Sequence, residues 1–332
     1  MTTPAGTAGS EIVLSTRDLT KHYTVGGGLL GGPARVVRAV DGVTLDIRAR
    51  ETFALVGESG CGKTTLGRVM LRLQEPTSGT IRYRGTDLTG LDEAAMRALR
   101  NRLQIVFQDP YGSLNPRMRI EQILAEPLRS HGFGTPADIR HRCAELLEMV
   151  GLRRQYLRNY PHQFSGGQRQ RIGIARALAN RPDFVVCDES VSALDVSIQA
   201  QVLNLLAELQ DSLSLTYFFI THDLAVVRQF ADRVGVMFLG RLVEVGTTED
   251  LFARPLHPYT MLLMSAVPRP DPRQRGRERP MIQGEVPSPM NLPAGCRFHT
   301  RCPFARDICR TEEPVLQDRD GRAVACHFPL EA

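Results

Sequence analysis

The sequence predicts an α/β fold, and three observations support that prediction. The apolar run at residues 53–56 ends in a glycine-rich turn that opens a helix candidate at 64–73. Two further apolar runs, at 184–187 and 217–220, have the length and composition of buried strands. A helix candidate at 197–212 separates these two runs. Short buried strands that alternate with helices are typical of a parallel sheet covered by helices.

Weaker patterns extend this outline on both sides. Predicted strands lie at 11–15 and, around an Asp41-Gly42 turn, at 36–40 and 43–47, and a hairpin is predicted at 234–238 and 241–245. From about residue 92 to 180 the pattern is mostly helical, with helix candidates at 121–130, 138–150 and 168–179.

Changes in composition suggest where domains begin and end. Small residues at 1–10 predict a disordered tail. After about residue 250 prolines become frequent, an arginine-rich linker runs through 268–280, and four of the seven cysteines follow that linker. We therefore expect a main domain at 11–250, with a helical subdomain at about 101–180, and a C-terminal extension at 251–332.

Overall composition excludes several classes of protein. The 332 residues are 42% hydrophobic and 23% charged, as in soluble globular proteins. The formal net charge of +5 is too small to indicate a nucleic-acid partner. The sequence contains no run of about 18 apolar residues and begins without signal-peptide features. We therefore expect a cytosolic chain without a membrane span.

A phosphate-binding loop is the most specific motif. Residues 57–64 read Gly-Glu-Ser-Gly-Cys-Gly-Lys-Thr and fit G-x-x-x-x-G-K-[ST] between a predicted strand and a helix. Glycines in such a loop let backbone N–H groups surround phosphate, and the helix start adds positive charge. In this pattern Lys63 reaches the terminal phosphates and the Thr64 hydroxyl ligates Mg²⁺. Cys61 fills a free position and is expected to be a small filler.

Two further sites fit a nucleotide hydrolase. The strand candidate at 184–187 runs into Asp188 and Glu189, where Asp188 is suited to hold Mg²⁺ and Glu189 to polarise water. Ser165, Gly166, Gly167 and Gln168 precede a helix, with Ser165 as a plausible N-cap, and form a second anion-binding helix start. One nucleotide does not need both helix starts in one subunit, so the second is expected to serve a nucleotide on another subunit.

The chain resembles the nucleotide-binding subunits of ATP-binding cassette (ABC) transporters. The loop at 57–64, the signature at 165–168 and the acidic strand end appear in the family's order over residues 11–250. The resemblance implies a P-loop, RecA-like ABC ATPase core with an antiparallel β subdomain and a helical subdomain. It departs at Phe164, where Leu is commoner, and at Ser190-Val191, where Pro-Thr is frequent.

The resemblance also implies roles for individual residues. Those expected to act in hydrolysis are Glu189, His222 (the switch histidine) and Gln108 (the Q-loop glutamine). Mg²⁺ is expected on Thr64, Gln108 and Asp188. The expected ATP-binding residues are Tyr23, Gly57, Glu58, Ser59, Gly60, Cys61, Gly62, Lys63, Thr64 and Thr65. The signature (Ser165, Gly166, Gly167, Gln168) is expected to act on the partner's ATP, and the D-loop corresponds to Ser192, Ala193, Leu194 and Asp195.

A narrower resemblance concerns the oligopeptide and dipeptide importers, most closely their F-type ATPase. It rests on the segments at 108–117, 192–201 and 255–260, the last reading Pro-Leu-His-Pro-Tyr-Thr. It implies peptide uptake, a heterodimer with a second ATPase subunit, two integral membrane permease subunits and, indirectly, an extracytoplasmic solute-binding protein. The chain would then lie at the cytoplasmic face of the membrane.

Four cysteines in the extension suggest a metal. Cys296, Cys302, Cys309 and Cys326 have the spacing C-x5-C-x6-C-x16-C, without a C-x2-C knuckle. Disulfides are disfavoured in a reducing cytosol, and spacing alone leaves Zn²⁺ and a [4Fe–4S] cluster equally open. Resemblance to cluster-bearing peptide-importer ATPases favours [4Fe–4S], with Zn²⁺ as the alternative.

Other functions remain as alternatives. An importer of a nickel chelate or of glutathione would share the same motifs, because the ATPase does not touch the solute. A soluble ABC protein acting on nucleic acid or ribosomes usually has two cassettes or long coiled coils, which this sequence lacks. A regulatory protein with an inactive loop is disfavoured because Lys63, Asp188 and Glu189 are all present.

Overall fold

A computed structural model describes residues 11–26, 35–109, 111–192, 194–265, 284–319 and 321–331. The tail predicted at 1–10, the arginine-rich linker at 268–280 and Ala193 of the predicted D-loop lie outside these ranges. Among the described residues, no helix is long and apolar enough to cross a bilayer.

The described residues form strands and helices in alternation along most of the chain. The strands are β1 (Ile12–Val25), β2 (Arg35–Arg48), β3 (Thr52–Val56), β4 (Ser78–Tyr83), β5 (Thr86–Asp87), β6 (Leu103–Val106), β7 (Phe184–Asp188), β8 (Thr216–Ile220), β9 (Arg233–Phe238), β10 (Arg241–Thr247), β11 (Gln317–Arg319) and β12 (Arg322–Val324). The helices are α1 (Lys63–Met70), α2 (Glu93–Leu99), α3 (Ile120–Ser130), α4 (Pro136–Met149), α5 (Gly166–Ala177), α6 (Val196–Leu213), α7 (Leu224–Phe230), α8 (Thr248–Ala253), α9 (Pro258–Ser265) and α10 (Asp307–Thr311). Short 3-10 helices lie at Arg154–Arg158, Pro161–Gln163 and His299–Arg301.

The chain divides into two compact units, and each is built from separate stretches of sequence. The first contains Met1–Val13, Ile47–Glu51 and Tyr83–Ile220, and the second contains Leu14–Asp46, Thr52–Arg82 and Thr221–Ala332.

The first unit contains the parallel strands β6, β7 and β8 in that order. β7 and β8 are buried along their whole length, which explains their continuous apolar sequences. Helices α3, α4 and α5 pack on one another in the same unit. Local sequence sets where two of them begin: Thr135 and Asp138 form a capping box at α4, and Ser165 and Gln168 form one at α5.

The second unit contains strands in the order β3, β9, β10, β12 and β11. β3 and β9 are parallel, whereas the pairs β9–β10, β10–β12 and β12–β11 are antiparallel. A separate sheet contains β2, β1 and β4. The C-terminal extension belongs to this unit, because Tyr259, Leu262 and Phe298 are buried in one core with Val56 of β3 and Phe238 of β9.

The structure corrects three details of the secondary-structure prediction. Residues 35–48 form one strand instead of two, because Gly42 accepts a φ of +74° and the chain continues through the predicted turn. The mostly helical stretch contains β6, whose buried Leu103 and Val106 extend the parallel sheet beside β7. Finally, the strand expected at 11–15 runs on to Val25.

Candidate nucleotide site

The phosphate-binding loop joins β3 to α1 in the second unit. All five residues of β3 are buried, so the loop starts from a rigid strand. Gly62 precedes α1 in the left-handed conformation (φ 108°), and no side chain caps this helix start. The N-cap residue therefore does not cap the first backbone N–H groups of α1, and N–H groups at a helix start can bind an anion.

Close backbone packing requires glycine at two positions of the loop, 57 and 62. A Cβ atom on Gly62 would lie 1.9 Å from the carbonyl oxygen of Ala39, and one on Gly57 would lie 2.2 Å from that of Met237. Gly60 has nothing within 4 Å of a Cβ position and needs glycine only for its φ of +77°. The loop is thus a cradle that any larger residue at 57 or 62 would displace.

Lys63 folds back over the loop. Its ammonium group donates hydrogen bonds to the carbonyl oxygens of Gly57 (2.8 Å) and Glu58 (2.9 Å), and the residue is 4% exposed. Cys61 Sγ lies 3.8 Å from the same nitrogen. Burial raises the pKa of the Cys61 thiol, which keeps it protonated at neutral pH. Ser59 is exposed, and Thr64 and Thr65 are partly buried in the first turn of α1.

Glu58 connects this loop to the C-terminal extension. Its backbone N–H donates to the Tyr259 hydroxyl (2.9 Å), and its carboxylate accepts two bonds from Arg301, at 2.6 and 3.0 Å. The motif that contains Tyr259 was visible in the sequence only as a subfamily resemblance, and no sequence pattern singled out Arg301. Their contact with the loop depends on packing between residues more than 200 positions apart, which local patterns do not show.

The predicted acidic residues lie at the carboxyl ends of parallel strands in the first unit. Asp188 ends β7 and is 2% exposed. Glu189 follows in the left-handed conformation (φ 46°), which is uncommon for a residue other than glycine. Its backbone N–H donates to Ile220 O of β8 (3.0 Å), and its carbonyl oxygen accepts from the Ser192 hydroxyl (2.9 Å). Strand β8 and Ser192 therefore hold the backbone of Glu189 in this uncommon conformation.

Gln108 and Glu189 contact each other directly. Because β6 and β7 are parallel and pair Val106 with Cys187, the residues that follow them emerge side by side. The Gln108 amide nitrogen donates to a Glu189 carboxylate oxygen at 2.8 Å. This contact joins two predicted site residues that lie 81 positions apart.

The signature opens α5, as predicted. Ser165 Oγ accepts from the Gln168 backbone N–H (3.3 Å), while the Gln168 side-chain oxygen accepts from the Ser165 backbone N–H (3.0 Å). The two glycines between them lie beside the D-loop and α6: a Cβ on Gly166 would meet Leu194 at 3.8 Å, and one on Gly167 would meet Ile198 at 2.4 Å. Asp195 is the N-cap residue of α6. The signature and the D-loop are therefore neighbours in this unit.

Besides the phosphate-binding loop, the second unit contains two other residues predicted for the nucleotide site, Tyr23 and His222. Tyr23 is on β1, where its hydroxyl donates to Gln74 (2.5 Å) and the Lys21 ammonium lies 5.1 Å from its ring centre. His222 is exposed and precedes Asp223, whose carboxylate accepts from backbone N–H groups at the start of α7.

The four cysteines of the extension line one small cavity. Its volume is about 10 Å³, and its walls also include Phe298, His299, Phe304 and His327. Burial raises the pKa of Cys296 and Cys326 to about 11 and also raises that of Cys302. All seven cysteines are free thiols. Within the described ranges, no three His, Cys, Asp or Glu side chains form a group that would hold a metal ion.

Two known families match this chain. The family described as "ABC transporter" matches residues 40–192, and the family described as "Oligopeptide/dipeptide transporter, C-terminal region" matches residues 243–309. The "Oligopeptide transport ATP-binding protein AppF" of Bacillus subtilis is 49% identical over 326 residues, which cover 97% of this chain and 98% of AppF. The chain belongs to the ABC transporter family, as an ATP-binding subunit of its oligopeptide/dipeptide branch.

Further relatives agree with this assignment. The "Probable peptide ABC transporter ATP-binding protein y4tS" of Sinorhizobium fredii is 50% identical over 97% of this ABC protein and 92% of y4tS. Among solved structures, the ATP-binding cassette MJ0796, a dimer bound to ADP and Pi, matches with a TM-score of 0.63 and 28% identity over 71% of this chain and 98% of that one. The cbiO1 protein of Clostridium perfringens matches with the same TM-score and 27% identity over 74% of this chain and 92% of that one.

These findings confirm the predicted α/β class and the P-loop ABC ATPase fold. The match to the ABC family spans the phosphate-binding loop, Gln108, the signature and Asp188-Glu189. This ABC protein is therefore an ATPase.

Proposed function

We propose that this chain is the ATP-hydrolysing subunit of an importer that takes up oligopeptides or dipeptides. The observation that carries the proposal is identity of about half of all residues to peptide-transport ATP-binding proteins across 97% of the chain. The match at 243–309 to the C-terminal region of oligopeptide/dipeptide transporters supports the same substrate class. We retain 11–250 as the ATPase domain and 251–332 as the extension.

The phosphate-binding loop holds the ATP phosphates in this proposal. Lys63 exchanges its two bonds to loop carbonyl oxygens for phosphate oxygens, and backbone N–H groups of the loop after Glu58 surround the β-phosphate. The loop is suited to phosphate binding, because its glycines at 57 and 62 pack closely against the backbone of Met237 and Ala39 and leave no room for a side chain. Tyr23 supplies an aromatic face for adenine.

Glu189 orients and activates the attacking water. The φ of Glu189 and its contact with Gln108 set the direction of the carboxylate, and Gln108 links it to the start of the helical region. Asp188, Thr64 and Gln108 supply the oxygen ligands that Mg²⁺ prefers. Bound Mg²⁺ would neutralise charge on the phosphates. His222 contacts the γ-phosphate in this assignment.

The signature binds the nucleotide of a second ATPase subunit. Ser165 and the glycines of α5 present a helix start next to the D-loop residues Ser192, Leu194 and Asp195, where a triphosphate on the partner would be bound between two positive helix ends. We infer a heterodimer with a different ATPase, at the cytoplasmic face of the membrane and attached to two permease subunits. A solute-binding protein delivers the peptide outside the membrane.

The test of the hydrolytic role is Glu189→Gln in the full chain. The variant should bind ATP like the wild type and hydrolyse it about 10²–10⁴-fold more slowly, because the water loses its general base. ATP-bound dimers should accumulate and be visible by size-exclusion chromatography with the partner subunit present. Uptake of a labelled peptide in cells that lack the native gene should be lost in parallel.

Glu208→Gln is the matched control, since Glu208 is an exposed carboxylate on α6 of the same unit. It should retain wild-type hydrolysis. Wild-type turnover by Glu189→Gln would remove the role assigned to Glu189. Peptide uptake that persists without hydrolysis, or uptake of only a nickel chelate or glutathione, would overturn the peptide-importer assignment.

We further infer that the four extension cysteines hold a [4Fe–4S] cluster, with Zn²⁺ as the alternative. The support is the chemistry of the donor set: four free thiols line one small cavity, and thiolates are the ligands that such a cluster takes. When bound, the metal would cross-link the extension.

Anaerobic purification should yield brown protein with about four iron and four sulfide per chain. Cys302→Ser should lose both, while Cys143→Ser, a buried cysteine elsewhere, should keep them. Zinc, or no metal, would reject the cluster.

A further inference from the structure

The phosphate-binding loop receives two contacts from residues that lie far along the chain. Tyr259 is fully buried, and its hydroxyl accepts the backbone N–H of Glu58 at 2.9 Å. The two terminal nitrogens of Arg301 donate hydrogen bonds to the Glu58 carboxylate, at 2.6 and 3.0 Å. Backbone and side chain of one loop residue are thus both held by the extension.

Buried aromatic rings fix Tyr259 in place. Its ring lies 4.8 Å from that of Phe238 and 5.2 Å from that of Phe298, and all three side chains belong to the core of the second unit. At the start of α9, the buried carboxylate of Glu244 accepts the backbone N–H groups of Leu256 (2.8 Å) and His257 (2.9 Å). The Tyr259 hydroxyl that accepts the loop N–H is therefore held in a fixed position.

His257 adds a second constraint to this segment. Its Nδ1 accepts the backbone N–H of Tyr259 at 3.0 Å, and burial lowers its pKa to about 3, so the ring remains neutral and able to accept. The Pro-Leu-His-Pro-Tyr-Thr motif at 255–260 thus acquires a physical explanation. Its histidine orients the turn, and its tyrosine reaches the loop.

The position of Arg301 is also fixed, by its place in a 3-10 helix and by burial. It is the last residue of the 3-10 helix His299–Arg301, and its backbone N–H donates to Phe298 O at 3.0 Å. The side chain is 6% exposed and lies 6.0 Å from the Phe238 ring centre. Cys302, which lines the cysteine cavity, follows directly. The backbone of the extension therefore sets the position of the guanidinium group.

The ion pair differs from an ordinary surface pair of the same geometry. Arg17 and Asp46 on the neighbouring sheet also form two bonds, at 2.6 and 3.0 Å, but their side chains are 49% and 40% exposed. The corresponding values for Arg301 and Glu58 are 6% and 24%. Because screening by water is weaker at the buried pair, it constrains its loop far more than the surface pair does.

We propose that Tyr259 and Arg301 are positioning residues for nucleotide binding: through Glu58 they hold the phosphate-binding loop in its binding shape, so the folded extension sets this subunit's affinity for MgATP. The inference rests on the proposed ATPase function. Loop N–H groups bind phosphate well only when they are already oriented. Neither side chain is assigned any contact with ATP.

The test compares MgATP affinity in the full chain, measured by displacement of a fluorescent ATP analogue. Arg301→Ala should raise the dissociation constant about tenfold, since one charge-assisted hydrogen-bonded pair changes an equilibrium constant by about that factor. Tyr259→Phe keeps the ring and removes the acceptor, and should raise the constant about threefold to tenfold. In both variants KM should rise much more than kcat falls, because neither residue touches the reacting atoms.

Three comparisons separate positioning from general destabilisation. Arg301→Lys should recover part of the affinity, whereas Arg17→Ala should bind like the wild type. Glu58→Gln combined with Arg301→Ala should be no worse than Arg301→Ala alone, because both remove the same interaction. Thermal unfolding without nucleotide identifies any variant that fails to fold, in which case Tyr259→Phe and Arg301→Lys decide.

Affinities within twofold of wild type for both Arg301→Ala and Tyr259→Phe would overturn the proposal, provided that the wild type binds MgATP. Multiplicative losses in the double variant would also overturn it. If the wild type itself bound no MgATP, the proposed ATPase function would fail first, and this outcome is distinguishable from the other two.

Discussion

The starts of α1 and α5 are two helix ends suited to the same kind of ligand, yet they are held in different ways. At α5, Ser165 and Gln168 cap each other, so four residues of local sequence set the geometry. At α1, no side chain caps the helix, and the preceding loop is fixed by Ala39, Met237, Tyr259 and Arg301. One helix start is stabilised by its neighbours in sequence and the other by its neighbours in space.

This difference indicates how each end meets phosphate. Side-chain capping at α5 satisfies N–H groups until a partner's nucleotide arrives, which suits a site that is used only when two subunits meet. At α1 the N–H groups belong to a loop whose shape is imposed from outside, which suits a site that must bind first. Variants that act on one end and leave the other intact therefore test the comparison.

The largest effect is expected for Gly62→Ala. The new Cβ would lie 1.9 Å from a backbone carbonyl oxygen at a φ of 108°, and left-handed strain plus overpacking should cost about 2–5 kcal/mol. MgATP binding should be lost, as measured with a fluorescent analogue. Gly60→Ala, which has nothing within 4 Å of its Cβ position, should lose only about 1 kcal/mol of stability from its φ. Equal losses in the two variants would refute the steric explanation.

Gly167→Ala should have an intermediate effect. Its Cβ would lie 2.4 Å from the Cγ2 of Ile198, a branch methyl whose χ1 is restricted in α6, so we expect a loss of about 1–3 kcal/mol in urea unfolding. Gly166→Ala meets Leu194 only at 3.8 Å and should leave stability nearly unchanged. Both variants should bind MgATP normally as isolated chains, since we propose that α5 serves the partner's site. Weak binding by either would contradict that division of roles.

The smallest effect is expected for Ser165→Ala. Loss of one N-cap should reduce the free energy of unfolding by about 1 kcal/mol. Ser165→Thr, which keeps the hydroxyl, should stay close to wild type. Hydrolysis by the assembled pair should fall in Ser165→Ala, whereas the affinity of the isolated chain for MgATP should not change. An unchanged urea midpoint for Ser165→Ala would show that the capping box contributes nothing.

Features set by neighbouring residues were predictable from the sequence. The loop at 57–64, the start of α5 at Ser165 and the hairpin of β9 and β10 all follow from short patterns, and the structure confirms them. Strand β6 was missed because only Leu103 and Val106 of its four residues are buried, a pattern that fits a helix equally well. The single strand β2 was missed because a glycine that usually marks a turn here continues a strand.

Features set by distant residues were not predictable. Nothing near Glu58 in the sequence indicates Arg301, and Tyr259 lies in a segment whose meaning depends on the buried Glu244 and His257. The contact between Gln108 and Glu189 lies between these cases. Each residue was predicted from its own motif, but their hydrogen bond required the parallel pairing of β6 with β7.

The bond between Glu58 and Arg301 also has a consequence for the order of events during synthesis. The two residues are 243 positions apart, so at 5–20 residues per second the ribosome makes the loop about 12–50 s before its support. During that interval the nascent chain holds an unsupported loop. A chain released before residue 301 is added would keep every ATPase motif yet bind nucleotide weakly. Full affinity for ATP would then mark a chain whose synthesis has passed Arg301.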